Sequence, residues 1–229
     1  MNSFFLIAGS ITVILAGLNL RSLGNSVIFS VGVMGHHSDL RKLLANTIVF
    51  WVGTTLVVFP VLWIGWEISS AFLGMSGLSL RLASYLFSTL FMVWGLFNLY
   101  VYKVGPRRDS EGRLRAKIIT LSRSAGHLQK DFVFGFMNGV SVVISEIGLF
   151  LGGIWLIQKG GGFGFLELSL VTFAATSAVW WIFVVLMYGL KLSDVERFRR
   201  AHGTKISYIC GLLGVFGSWL ILANSMGLL

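Results

Sequence analysis

The sequence predicts an all-α integral membrane protein with six membrane-crossing helices, and three observations lead there. Hydrophobic residues make up 55% of the 229, with a mean hydropathy of +0.83. Charged residues make up only 12%, against roughly 25% in an ordinary soluble domain, too few to cover a globule in water. Long apolar runs also recur along the chain, each near the roughly 20 residues a helix needs to cross a hydrocarbon core. The abundance of aromatic and branched residues excludes disorder. A single cysteine, Cys210, excludes a disulfide scaffold.

The first span is unlike the rest. Residues 4–20 are apolar, 21–26 are polar and 27–34 are apolar again. Eight residues cannot cross a bilayer, so this segment reads as one crossing helix with a polar break or a short re-entrant piece. No basic residue precedes Arg21, so the positive start of a secretory signal is missing and the segment reads as a retained span. Five continuous runs follow at 43–66, 82–104, 132–157, 166–190 and 206–226. They are apolar on every face, which separates them from amphipathic surface helices.

A net charge of +9 would suggest nucleic acid in a soluble protein, but here the basic residues sort by loop. The stretches 35–42, 103–131 and 191–205 hold fifteen Lys and Arg residues, while the alternate loops hold only Arg81 and Lys159. The positive-inside bias places those three loops in the cytoplasm and both termini outside. The charge therefore addresses topology in a plasma membrane, the inner membrane of a cell with two, and its partners are membrane lipids, with no nucleic acid.

The long basic loop, 105–130, divides the chain into two three-helix halves, 1–104 and 131–229. An odd number of spans per half forces opposite orientations, the inverted-repeat plan of many secondary transporters. Each half opens on an apolar segment with a polar interruption, 21–26 in one and 141–146 in the other. A slide of 120 residues pairs Asn25-Ser26 with Ser145-Glu146 and Gly32 with Gly152. The first and fourth helices are thus expected to carry the breaks.

Glu146 is the most informative residue. It lies mid-span in the fourth run, where a charge costs about 2.5–3.5 kcal/mol on insertion scales, so it is expected to face the protein interior. A carboxyl that binds and releases a proton at that depth is what a proton-coupled carrier needs. Arg21, at the corresponding break, is its natural counter-charge, or else snorkels to the cytoplasmic interface. Asn19, Asn25, Asn138, Ser141 and Ser145 fall at similar depth and are expected to line the interface between halves, as solute contacts or as bonds to freed backbone.

His36, His37 and Asp39 place metal-ligating types together at the cytoplasmic edge, but adjacent histidines do not share a helical face, and no metal is assigned. No histidine lies mid-span, so no haem is expected, and one cysteine cannot run a dithiol relay. No cofactor is expected. Trp63, Trp66 and Trp155 fall near outer span ends, as interfacial anchors do. The pairs Gly135/Gly139 and Gly148/Gly152 and the series Gly211/Gly214/Gly217 suit close helix packing.

The layout resembles the lysine-exporter (LysE) superfamily, which includes the CcdA-type cytochrome c biogenesis membrane proteins. The resemblance lies in the broken first span ending at 26–34, the basic turn Arg41-Lys42 and the third span entering a long basic loop. The polar stretch 138–146 in the fourth span and the Gly-rich last span complete it. The family's Pro-containing break motif is missing from both halves and the paired cysteines of its thiol-transferring branch are absent. The resemblance therefore implies solute export, with no substrate carried over.

The expectation is a non-enzymatic transporter of a small polar solute, with Glu146 as the coupling or solute-contacting group. It would act alone, as a homodimer or in a larger membrane complex. The rival is a structural or assembly subunit of such a complex. A lipid-processing enzyme fares worse, for want of a nucleophile–base set.

Overall fold

The structure, a computed structural model, describes residues 2–17, 39–104, 127–161, 165–187 and 192–228. The described residues form helices joined by short turns, with no strand among them. The helices are α1 (Asn2–Gly17), α2 (Leu40–Leu73), α3 (Leu78–Val104), α4 (His127–Gly161), α5 (Phe165–Ala175), α6 (Ser177–Met187) and α7 (Leu192–Ser225).

Four of these helices are long and apolar enough to cross a membrane, α2, α3, α4 and α7, and a fifth crossing results if α5 and α6 count as one bent span. Among the described residues there are thus four to five candidate crossings, and the expected first span continues into 18–38, outside the described residues. The described part of the first span is a single apolar helix of 16 residues, about 24 Å long at ~1.5 Å per residue, short of a full crossing.

Helices run beyond the apolar runs that announce them. α2 begins at Leu40, where Asp39 takes an extended conformation and its carboxylate accepts from the Arg41 N–H at 3.0 Å. That contact satisfies one of the donors a helix start leaves open. α7 begins at Leu192, so much of the stretch that reads as a basic loop is helical. Polar residues of high helix propensity continue the backbone ladder outside the apolar segment. The turn between α2 and α3 passes through Gly77 at φ +67°, a conformation that favours glycine.

Two expectations about breaks are corrected. α4 is continuous from His127 to Gly161, so the polar residues of 141–146 interrupt the hydropathy without breaking the helix. The Ser145 hydroxyl donates to the Ser141 carbonyl at 2.6 Å and is satisfied inside the helix. The fifth span, by contrast, bends by 47° at Thr176. There the Thr176 hydroxyl and its own N–H both donate to the Thr172 carbonyl, each at 3.0 Å, and the hydroxyl also accepts from the Trp51 indole of α2 at 2.9 Å.

α4 sits in the middle. In its most apolar window 72% of residues are buried, against 33% for α2 and 39% for α3. It packs against α1, α2, α3 and α7, and the other extensive pairing joins α3 to α7. Glycines set these approaches, because apolar lipid gives helices little hydrophobic drive to associate and close backbone contact takes its place. A Cβ at Gly135 would overlap the Phe50 carbonyl oxygen, and one at Gly139 would come within 2.6 Å of the Thr54 carbonyl. Gly95 and Gly214 pack backbone to backbone between α3 and α7. Close packing at the glycine pairs is as expected.

The tryptophans divide. Trp63 is exposed, its indole donating to Glu67 at 3.1 Å. Trp155, expected as an interfacial anchor, is 3% exposed and stacks on Phe87 with ring centres 4.4 Å apart. Trp66 is also buried. Position near a span end does not decide which way a side chain points, and both fall on sides covered by a neighbouring helix.

Candidate functional site

Glu146 is fully buried, at 0% exposure, on the most enclosed helix. Its surroundings come from three further helices. From α7, Cys210 lies close enough for the Glu146 charge to act on its thiol, and that thiol donates to the Leu15 carbonyl of α1 at 3.5 Å. From α3, the Trp94 indole N–H donates to the Ser145 carbonyl at 2.9 Å, while its ring covers Gly148. The carboxyl thus sits on the stretch of α4 that α1, α3 and α7 cover, inside protein as its cost in lipid requires.

The register of α1 against α4 brings the end of the described α1 to this level. Gly9 packs on Gly153 and Ile157, and Val13 packs on Gly153, so the two helices run antiparallel. Residues further along α1 therefore lie against α4 positions nearer Glu146. Gly17 in turn presses on the carbonyls of Ala174 and Ala175, immediately before the bend in the fifth span.

Asn138 does not share this site. It is buried and donates to the Thr54 hydroxyl of α2 at 3.2 Å, and that hydroxyl reaches the Gly135 carbonyl at 3.0 Å. Eight residues separate Asn138 from Glu146 in the sequence, about 12 Å along the axis and about 80° around it. The expected polar cluster is therefore spread along α4. Asn138 ties it to α2, the half-buried Ser141 supplies a carbonyl to Ser145, and Glu146 faces a different set of helices.

Arg21, Asn19, Asn25, His36 and His37 lie outside the described residues, and with them the proposed Arg21–Glu146 pair. Asp39 is described, and its carboxylate caps α2. No group of three or more His, Cys, Asp or Glu side chains is placed to hold a metal among the described residues.

Sequence reasoning missed Thr54, Trp94 and the bend at Thr176. Trp94 carried a signal, since a tryptophan in mid-span stands away from the interfacial belt where the residue concentrates. Asp131, assigned to the boundary of the basic loop, is a buried residue on α4.

The fold and site define a class: an apolar chain, helical through its described residues, with several membrane-length helices packed around a central helix that carries the buried Glu146. Comparisons with protein-family models, with characterised proteins and with solved structures find no match to this chain.

Proposed function

We propose that the chain is a membrane transporter of a small polar solute, built as a 3+3 inverted repeat, with Glu146 as its coupling or solute-contacting group. The observation that carries this reading is the complete burial of Glu146 on the central helix. Ionisable groups kept inside membrane bundles mark ion or substrate pathways by default.

The pattern of neighbours supports the repeat. Let α1 correspond to α4, α2 to the α5–α6 pair and α3 to α7. The contacts α1–α4, α3–α7 and α2–α5/α6 then map onto themselves. The α2–α4 contact maps onto α5/α6–α1, α3–α4 onto α7–α1, and α2–α3 onto α6–α7, and every one of these pairs is in contact. The α4–α7 contact is the exception, α1–α3 not being among the substantial pairs.

Charge supports the orientation. Tyr102 stacks near Tyr208, and Gln158 donates to the Trp66 carbonyl, so the ends of the helices can be matched. Arg41, Lys42, Lys103, Lys130 and Lys205 gather at one end of the bundle, and Arg81 and Lys159 at the other. By the positive-inside rule the first end faces the cytoplasm.

A second reading, a structural subunit of a larger complex, is favoured by the bonds that hold Asn138 and Ser145, which act as ties within and between helices. Reconstitution in sealed vesicles with a panel of polar solutes separates the two. The transporter reading expects solute-driven flux that falls at least about tenfold in Glu146→Gln, equivalent to a loss of ~1.4 kcal/mol, with helix content unchanged. Full flux in that variant removes the role of Glu146. Absence of flux, with partners co-purifying in fixed ratio from mild detergent, leaves the subunit reading.

A further inference from the structure

The fifth span bends by 47° between α5 and α6, yet its sequence supplies none of the usual causes. No proline or glycine occurs from Phe165 to Met187, and a sharp kink otherwise needs a π-bulge or a group inserted into the backbone ladder. The bend also forfeits backbone bonds. The Val179 N–H donates to the Thr176 carbonyl, three residues back, at 3.2 Å. The Ala175 carbonyl thereby loses the ladder bond that a straight helix gives it, and apolar lipid offers nothing in exchange. The segment by itself favours a straight helix, so the bend has to be held from outside.

Trp51 of α2 holds it. The Trp51 indole N–H donates to the Thr176 hydroxyl at 2.9 Å, and that hydroxyl reaches the carbonyls of Thr172 at 3.0 Å and Phe173 at 3.3 Å. The hydroxyl thus occupies the Phe173 carbonyl, which in a straight helix belongs to the Ser177 N–H. The Trp51 ring meets both arms of the bend: its centre lies 6.3 Å from Phe173 of α5 and 5.7 Å from Trp180 of α6. α1 adds a further contact at Gly17, where a Cβ would come within 2.8 Å of the Ala174 and Ala175 carbonyl oxygens. Beyond the bend, the Ser177 hydroxyl and the Trp180 N–H are buried without hydrogen-bond partners among the described residues. α6 therefore keeps donors that this arrangement leaves unused.

We propose that the fifth span is a two-state hinge, bent while Trp51 is seated on Thr176 and straight once it leaves. The bent state has the Trp51 hydrogen bond and the ring contacts on both arms. The straight state recovers the ladder bonds at the Phe173 and Ala175 carbonyls. Interactions of similar kind stand on the two sides, the condition for an element with two discrete arrangements. Thr176 is the pivot and Trp51 the latch. Straightening swings the end of α6, about 16 Å from the bend at ~1.5 Å per residue, through roughly 13 Å. The hinge is a property of the fold, and its use in a transport cycle rests on the reading proposed above.

The test measures distances by pulsed electron spin resonance on the full-length chain in nanodiscs of phosphatidylcholine and phosphatidylglycerol, with Cys210→Ala as background. Spin labels go on exposed positions in pairs, Met187 with Leu44 of α2 and Met187 with Val104 of α3, while Leu44 with Val104 is the fixed pair. Trp51→Phe keeps a ring and removes the donor. Thr176→Val removes the hydroxyl, and decides the matter if the tryptophan variant does not fold. In each, the pairs that include Met187 are expected to gain a second, discrete distance. Its share relative to the first should rise about fivefold over the unsubstituted chain, the size of one net hydrogen bond. The fixed pair should not change, and Trp63→Phe should leave all three pairs as they are. A single unchanged distance at Met187 in the folded variants overturns the hinge. Broadening that affects the fixed pair equally marks general loosening and overturns it too. Flux through the same variants separates the two readings. A second distance in a chain that carries no solute retires the transport reading alone, and full flux with one fixed distance retires the hinge alone.

Discussion

The indole N–H of Trp94 donates to the main-chain carbonyl of Ser145 at 2.9 Å, fixing the backbone immediately before Glu146. A helix carbonyl already bonded within its helix gains a second donor here, from α3, and the Trp94 ring closes over Gly148 on the next turn. Trp94→Phe keeps a ring and removes the donor. It is expected to cost about 1 kcal/mol of stability, read as a lower midpoint of thermal unfolding in detergent. If Glu146 carries flux, the same variant should reduce flux while Trp63→Phe, on the exposed face of α2, leaves it unchanged.

Gly135 tests the central packing. A Cβ there would overlap the Phe50 carbonyl oxygen, whereas one at Gly161 would meet nothing within 4 Å. Backbone cannot yield as a flexible side chain can, so Gly135→Ala must push α2 and α4 apart. The expected loss is about 1–3 kcal/mol, with Gly161→Ala near neutral. Unfolding of both variants in mixed micelles checks the contrast, and equal stabilities would show that the α2–α4 contact is looser than described.

The physical basis of what the sequence disclosed is clear from particular residues. The runs that became α2, α3, α4 and α7 were legible because a membrane helix satisfies its backbone internally and shows lipid an apolar face, which hydropathy reads directly. Burial of Glu146 was legible for the same reason, since a mid-span carboxyl has nowhere else to go. The bend at Thr176 was hidden, because threonine in a helix ordinarily back-bonds without a sharp turn, and nothing in 166–190 marks that residue from Thr172. The separation of Asn138 from Glu146 was hidden too. Depth follows from position in the run, but the facing neighbour depends on which helices pack where, and Thr54, Trp94 and Cys210 come from three different parts of the chain. Trp155 shows the same limit, its burial being set by Phe87 of α3.

The Asn138–Thr54 bond is open to a double-mutant cycle. Thr54→Val removes the hydroxyl that accepts from Asn138 and donates to the Gly135 carbonyl, and Asn138→Leu removes the amide. Interhelical bonds in membrane bundles are worth about 0.6 kcal/mol on average and up to about 1.7. Burial of both partners places the coupling in the upper part of that range. Additive losses in the two single variants would mean that the pair does not interact.

Cys210 offers a direct check on how closed the site is. Its side chain is 1% exposed, its thiol donates to the Leu15 carbonyl, and Glu146 is its electrostatic neighbour. A thiol enclosed in this way has neither the access nor the electropositive surroundings that make cysteines reactive. A membrane-permeant maleimide should therefore leave Cys210 unmodified in the folded protein and label it fully after denaturation, as counted by intact mass. Glu146→Ala removes a large side chain from the same junction and opens space beside the thiol, so labelling of the folded variant should rise several-fold. The rise ought to be absent in Ser141→Ala, whose half-buried side chain lies more than a turn away along α4. Rapid labelling of the unmodified chain in its folded state would show that the junction of α1, α4 and α7 stands open, and would remove the enclosed setting on which the assignment of Glu146 depends.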